Sequence, residues 1–309
     1  MDEVKNPLIF VSTGTAPTTV ATGDNLRHRT FARPPLLTSR EDPSQPGSTD
    51  GSPTVMLSVV MPVYNEGRTI AHAIDQVLNV PFPCSFELIV VNDGSTDGTA
   101  DVLKTIGDPR VVVGGHDTNR GKGAALLTGF SLAQGAHIVP FDADLEYAPQ
   151  DLVSLLQPVL DGRSDIVYGS RIFGANTVFQ SYRYAMGNKL TTLLANVLFD
   201  SYLSDLHTCL KLLPSRLLRD LKLQEQGFGL DTEITANVLK LGYRPFEVPV
   251  TYHSRTHAQG KKLQWRDGVA CIAILMRVRF KAQRSRHRRR MVSRSVGVRN
   301  VQYSEQAKS

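Results

Sequence analysis

A chain of 309 residues with 35 Lys/Arg against 29 Asp/Glu has a formal charge of +6, yet ten of those bases and none of the acids fall within residues 268–304. The basicity is a property of that end, centred on Arg284, Arg286, Arg288, Arg289 and Arg290, and the rest of the chain is net acidic. No aromatic residues interleave with the arginines, so no nucleic-acid partner is expected; the run suits an anionic membrane surface or is a solvated charge run.

Residues 1–54 are rich in Ser, Thr, Pro, Gly and Asp and include the turn-forming stretch Asp42–Pro53, which predicts a disordered N-terminal extension. No basic start followed by an apolar block marks a secretory signal, so the expected location is cytoplasmic, with peripheral attachment to the cytoplasmic face of a membrane as an option. From Met56 the pattern alternates strand and helix: a strand over Met56–Met61 ended by Pro62, a helix over Glu66–Val80, a strand over Phe86–Val91, and a helix over Thr96–Ile106. A short strand over Val111–Gly114, a helix over Gly121–Gln134 and an apolar strand over Ala136–Phe141 follow, then a strand over Asp165–Tyr168. This βαβα order predicts an α/β fold with a mainly parallel sheet flanked by helices, spanning residues 55–280, with a basic, disordered tail over 281–309. The apolar stretch Val269–Met276 is far short of the ~20 residues a spanning helix needs. Cys84, Cys209 and Cys271 are odd in number and widely spaced, which argues against a disulfide framework or a zinc site.

Ligands on such sheets bind beyond the carboxyl ends of the strands. Four loops there carry chemistry: Pro62–Glu66, Asn92–Ser95, Asn119–Gly123 and Asp142–Asp144. Asp142, Asp144 and Glu146 stand at alternate positions after an apolar run, which places them on one side of an extended segment. Three crowded carboxylates repel one another unless a cation is present, and oxygen-only ligands favour Mg²⁺ or Mn²⁺ completed by substrate phosphates. An aromatic ring and carboxylates in the first two loops suit a base and ribose. Lys122, in a glycine-rich turn at a helix start, suits a phosphate or an aspartate. Neither a Walker loop nor a G-x-G-x-x-G fingerprint is present.

Taken in order, Val60–Glu66, Val91–Asp97, Asn119–Gly123 and Asp142–Asp144 resemble the family 2 glycosyltransferases of GT-A architecture. Gly169-Ser170-Arg171 and the later segments resemble their polyprenyl-phosphate sugar synthase branch, that of the dolichol-phosphate mannose synthases. The resemblance runs from about Leu57 to Phe280. It implies that Pro62, Tyr64, Glu66, Asp93, Lys122 and Ala143 help hold a nucleotide-sugar. Asp142, Asp144 and Glu146 would bind the divalent metal, with Glu146 where relatives often carry Gln. Arg171, Arg183 and Asn188 would receive the acceptor phosphate, the helix Tyr182–Phe199 lying at a membrane surface; a plain amphipathic helix packed on the sheet is the other reading. Asp144, Arg171, Asp231 and Glu233 would form the catalytic set, Asp231 and Glu233 facing the acceptor, while Arg255 and Lys261 close over phosphates.

The implied reaction moves a sugar from GDP-mannose or UDP-glucose to a polyprenyl monophosphate with inversion. A transferase acting on a soluble hydroxyl acceptor and a non-catalytic nucleotide-sugar-binding scaffold are the alternatives.

Overall fold

The structure is a computed structural model describing residues 57–172, 177–178, 182–254 and 265–281. The expected N-terminal extension and, apart from Lys281, the basic tail lie outside the described residues.

Five strands and four helices build the first part in alternation: β1 (Leu57–Val63), α1 (Ile70–Leu78), β2 (Phe86–Asp93), α2 (Thr99–Lys104), β3 (Val111–His116), α3 (Lys122–Leu132), β4 (His137–Pro140), α4 (Asp151–Leu160) and β5 (Val167–Ser170). Then come β6 (Thr177–Val178), α5 (Tyr182–Phe199), β7 (Lys211–Pro214), α6 (Ser215–Asp220), α7 (Leu230–Lys240), β8 (Phe246–Pro249), β9 (Tyr252–His253) and α8 (Trp265–Phe280). Seven strands form one sheet in the order β3-β2-β1-β4-β7-β5-β8, and β6 pairs with β9 separately. All pairs in the large sheet are parallel except those of β7, which runs antiparallel to both β4 and β5. That reversal brings the start of β7, Lys211, to the edge where the other strands end.

Alternation of side chains along the strands feeds two apolar layers. Leu57, Val59 and Met61 of β1 face α1 and α4 residues such as Ile70, Ile74 and Leu155. Val60, Ile89 and Val91 face the other way, toward Leu126 of α3, Ile234 of α7 and Leu275 of α8. The mainly parallel sheet with helices on both faces is as expected from the sequence.

Several boundaries differ from that expectation. β1 continues through Pro62 because β4 pairs only with Leu57–Val60; beyond Val60 the strand is bonded on the β2 side alone, where a missing N–H is tolerated. β2 runs on to Asp93, paired with His116. α2 is confined to Thr99–Lys104, because Asp97 draws the preceding residues into a turn: its Oδ1 accepts from the Thr99 N–H at 2.9 Å and its Oδ2 from the Gly67 N–H at 3.1 Å. Among the described residues no helix is long and apolar enough to cross a membrane.

Candidate active site

The acidic triplet is not extended as expected. β4 ends at Pro140, and the chain turns through Asp142–Leu145, with Leu145 at φ +60°. The turn keeps Asp142 and Asp144 together, and Glu146, its N–H donating to Asp144 Oδ1 at 3.1 Å, stays close by with its side chain bonded to a neighbour. Glu146 Oε2 accepts the Tyr252 hydroxyl at 2.6 Å, and its carbonyl accepts the His253 N–H at 2.9 Å. Burial, then the neighbouring charges of Asp142 and Glu146, push the Asp144 carboxyl up to about 7. Two crowded carboxylates in this state fit a hard divalent cation that takes its remaining oxygens from substrate phosphates. Among the described residues no three His, Cys, Asp or Glu side chains are gathered as a cation cage, so the expected Asp142–Asp144–Glu146 trio is not preassembled.

Lys122, at the first position of α3, takes the aspartate among its two expected partners, its Nζ lying 2.8 Å from Asp142. Burial opposes its charge, but Asp142, with help from Asp231, holds its pKa well above the ordinary lysine value. The glycines around it serve a close approach by backbone. A Cβ on Gly121, which sits at φ +101°, would lie 2.5 Å from the Gln226 carbonyl oxygen, and one on Gly123 would lie 2.6 Å from the Glu225 carbonyl oxygen.

Arg171 follows the last residue of β5 and is already claimed. Its Nε and a terminal nitrogen hold Asp205 in a fork at 2.6 and 2.8 Å. Asn188 Nδ2, from α5, donates to the same carboxylate at 2.8 Å, as does the His207 N–H at 3.2 Å. Asp205 is fully buried; that opposes its charge, but Arg171 outweighs burial and keeps the carboxyl far below its usual range. The guanidinium lies 4.9 Å from the centre of the Tyr252 ring. Arg171 and Asn188, expected as phosphate ligands, do meet, through a carboxylate that sequence reasoning missed. The Arg183 side chain, Arg255 and Lys261 lie outside the described residues.

Asp231 and Glu233 do not face one acceptor together. Two positions apart on α7, they point ~200° from each other around the helix. Glu233 Oε2 accepts the Gln224 and Glu225 N–H groups at 2.8 and 2.9 Å, so this 5% exposed carboxylate ties down a loop. Asp231 turns the other way, its Oδ1 3.6 Å from Nζ of the fully buried Lys211. That Oδ1 is buried without a hydrogen bond among the described residues. Lys211, which also donates to the Thr208 carbonyl, was not singled out from the sequence; burial lowers its pKa.

The first two loops interlock. The Asn65 N–H donates to Ser95 Oγ at 3.0 Å, the Thr96 N–H to Asn65 Oδ1 at 2.8 Å, and the Glu66 N–H to Thr99 Oγ1 at 3.0 Å. Glu66 Oε2 accepts from Thr69 Oγ1 at 2.6 Å. Pro62 and Tyr64 are half-buried beside them, and Ala143 is buried in the acidic turn. Asp93, expected to help hold base and ribose, is 2% exposed; its carboxylate accepts the Arg120 and Gly121 N–H groups at 2.9 and 2.8 Å and faces His116 Nδ1 at 2.7 Å. It shapes the wall next to Lys122.

The model of glycosyl transferase family 2 matches residues 58–221, more than half of the chain. Glycosyltransferase AglJ of Haloferax volcanii is 27% identical over 212 residues, 68% of this chain and 67% of that protein. UDP-N-acetylglucosamine–dolichyl-phosphate N-acetylglucosaminyltransferase of Methanococcus voltae is 31% identical over 134 residues, 38% of this chain and 52% of its own length. Dodecaprenyl-phosphate galacturonate synthase of Rhizobium johnstonii is 26% identical over 249 residues, 77% and 71% of the two chains. Glucosyl-3-phosphoglycerate synthase from Mycobacterium tuberculosis, solved with Mn²⁺, uridine diphosphate and phosphoglyceric acid, matches in fold with a TM-score of 0.56 at 20% identity, covering 75% of this chain and 81% of that one.

Proposed function

Since the chain belongs to glycosyl transferase family 2 and has the GT-A fold of a nucleotide-sugar transferase, we propose that it moves a hexose from a nucleotide-sugar, GDP-mannose or UDP-glucose, to a polyprenyl monophosphate, with inversion. One observation carries the choice of acceptor. The helix that sends Asn188 to the Arg171–Asp205 pair also exposes an apolar stripe, Tyr182, Met186, Leu190, Leu193 and Val197, at helical spacing. Asn188 and the stripe lie on opposite sides of α5, so an acceptor with an anionic head and an apolar tail would meet Arg171 on the packed side while the exposed stripe meets the bilayer that carries its tail. α8 lies alongside, Arg279 Nε donating to the Leu198 carbonyl at 2.8 Å, and exposes Val269, Ile272, Met276 and Phe280. Two such stripes suit peripheral contact with an anionic membrane, to which the arginine-rich end adds about 1 kcal/mol per basic residue near the surface. The names of the Methanococcus and Rhizobium relatives, which join a sugar to dolichyl and dodecaprenyl phosphate, support the same acceptor class.

The donor half rests on the acidic turn. Asp142 and Asp144 would hold Mg²⁺ or Mn²⁺ together with the donor diphosphate, and the bound ion would neutralise charge on the leaving nucleoside diphosphate. The residues of this chain do the rest. Lys122 fixes Asp142, the interlocked loops around Tyr64 and Glu66 seat base and ribose, and Arg171 draws the acceptor phosphate toward the sugar. Arg255 and Lys261 stay in this reading as cations for the leaving group. A phosphate monoester, with a second pKa of about 6, is ionised at neutral pH and needs no general base. In-line attack by its oxygen on C1, opposite the departing diphosphate, inverts that carbon. A hydroxyl acceptor is the second reading, favoured by the buried, unbonded Asp231 oxygen, which would serve it as base.

The test is transfer from radiolabelled GDP-mannose and UDP-glucose in turn, with Mn²⁺ and either polyprenyl monophosphate or free polyprenol in detergent. Label in an organic-extractable, acid-labile product only with the monophosphate supports the proposal. Equal labelling of polyprenol, or of neither lipid while a soluble hydroxyl compound is labelled, overturns it.

A further inference from the structure

The segment before α7 is held by α7 and α8 and rests on α3. Glu233 of α7 accepts its Gln224 and Glu225 N–H groups at 2.8 and 2.9 Å. Arg277 of α8 takes the Glu225 side chain: one terminal nitrogen lies 2.6 Å from Glu225 Oε1 and 3.5 Å from Glu233 Oε1. Gly229 lets α8 come this close, since a Cβ there would collide with Ile274 and lie 3.2 Å from Glu225 Oε2. On the other side the Gln226 carbonyl accepts the Ala124 N–H of α3 at 2.9 Å. The Glu225 and Gln226 carbonyls fill the space that side chains at Gly123 and Gly121 would need. Between those glycines stands Lys122, its Nζ 2.8 Å from Asp142.

Arg277 thus connects to the acidic turn through one short segment, from the Glu225 side chain to the backbone carbonyls on α3 and on to Lys122. The Arg277 and Glu225 side chains are 47% and 24% exposed, and a pair this open adds little to global stability. Its effect is local, on where the segment sits. We propose that Arg277, paired with Glu225, is a positioning residue of the donor site: it fixes the 224–226 segment, the segment sets the first turn of α3, and that turn aims Lys122 at Asp142. This inference rests on the proposed donor and cation site at Asp142 and Asp144. A direct partner of a metal ligand sets affinity by about 10- to 100-fold; Arg277 stands further back, so an effect of about threefold is expected.

The experiment compares full-length wild type, Arg277→Met, Glu225→Ala, the double variant and Arg277→Lys. Mn²⁺ binding is read from the free-ion paramagnetic resonance signal with uridine or guanosine diphosphate present. Steady-state transfer gives KM separately for the nucleotide-sugar and for polyprenyl monophosphate. In Arg277→Met, Mn²⁺ binding with nucleotide is expected to weaken about threefold and the nucleotide-sugar KM to rise by a similar factor, with the polyprenyl monophosphate KM unchanged. Glu225→Ala is expected to do the same although it alters net charge in the opposite direction, and the double variant to be no worse than either single change, because the two side chains act as one contact. Arg277→Lys is expected to restore wild-type binding, both contacts passing through a single nitrogen that an ammonium can replace. Should Arg277→Met fold poorly, Glu225→Ala and Arg277→Lys still decide the matter. Wild-type donor and Mn²⁺ values in folded Arg277→Met or Glu225→Ala overturn the inference, as do equal rises in both KM values or additive losses in the double variant. If wild-type protein takes up no Mn²⁺ with either nucleotide, the donor-site reading itself fails and this inference with it.

Discussion

Removing the Asp205 carboxylate would leave the Arg171 guanidinium, 11% exposed, without its forked partner beside the Tyr252 ring. Breaking a buried pair from one side costs roughly 3–5 kcal/mol, because the surviving charge is stranded. Asp205→Ala is therefore expected to lower unfolding stability by about that amount in urea titrations, and an unchanged midpoint would show that the pair contributes little. His207 gives a pH signature. Burial, then the charge of Lys211, lowers its pKa to about 4, and its Nε2 lies 2.7 Å from Thr191 Oγ1. Between the ordinary value near 6.5 and 4 the unfolded chain binds the proton and the folded chain does not, so this group removes stability as pH falls through that window. His207→Gln should flatten that part of the pH–stability curve; an identical slope in wild type and variant would contradict the assignment. Residue-scale pairings such as these were the least legible in the sequence. Asp205 sits in the mixed segment Ser201–Thr208 and finds Arg171 34 positions away, and Glu146 meets Tyr252 across 106. Local spacing says nothing about such meetings. Glu233 shows the same limit: a G-x-D-x-E stretch reads as two acids available to a ligand, and only the loop folded against α7 shows that one of them is bonded to backbone.

At the scale of elements, the turn into α3 depends on glycine for steric reasons that the structure makes specific. Gly121→Ala would place a side chain at φ +101° and 2.5 Å from the Gln226 carbonyl, which is expected to cost about 1–3 kcal/mol in unfolding experiments and to weaken the Lys122–Asp142 contact. Wild-type stability in that variant would contradict the packing of residues 225–227 on the helix start. The exposed face of α5 predicts the reverse pattern. Leu190 and Leu193 are 62% and 59% exposed, so Leu190→Glu with Leu193→Glu should leave the unfolding midpoint within about 0.5 kcal/mol of wild type. The same change should reduce sedimentation with vesicles containing anionic lipid; unaltered vesicle binding would remove α5 from the membrane surface. Element identity was well read from periodicity. The βαβ alternation through β4 follows from apolar spacing that the sheet simply buries, whereas α5 was implied by the family resemblance, its Leu190, Leu193 and Val197 standing exposed. α4 and the antiparallel β7 were not identified, the latter because a four-residue apolar strand, Lys211–Pro214, carries no sign of its direction.

For the molecule as a whole, reversal of β7 is what closes the site. It brings Lys211 and the Asp205–Thr208 segment to the edge where β1, β2, β4 and β5 end, so that the acidic turn, the Lys122 contact and the Arg171 fork share one side of the sheet. The central claim is a division of labour along that edge: Asp142 and Asp144 serve the donor, and Arg171 serves the phosphate of the acceptor. The most direct test is steady-state transfer by Arg171→Lys, which keeps the charge but loses the fork. The account predicts that KM for polyprenyl monophosphate rises about tenfold or more, equivalent to roughly 1.4 kcal/mol, while KM for the nucleotide-sugar stays at the wild-type value. A rise confined to the nucleotide-sugar KM, or unchanged values for both substrates, would contradict it.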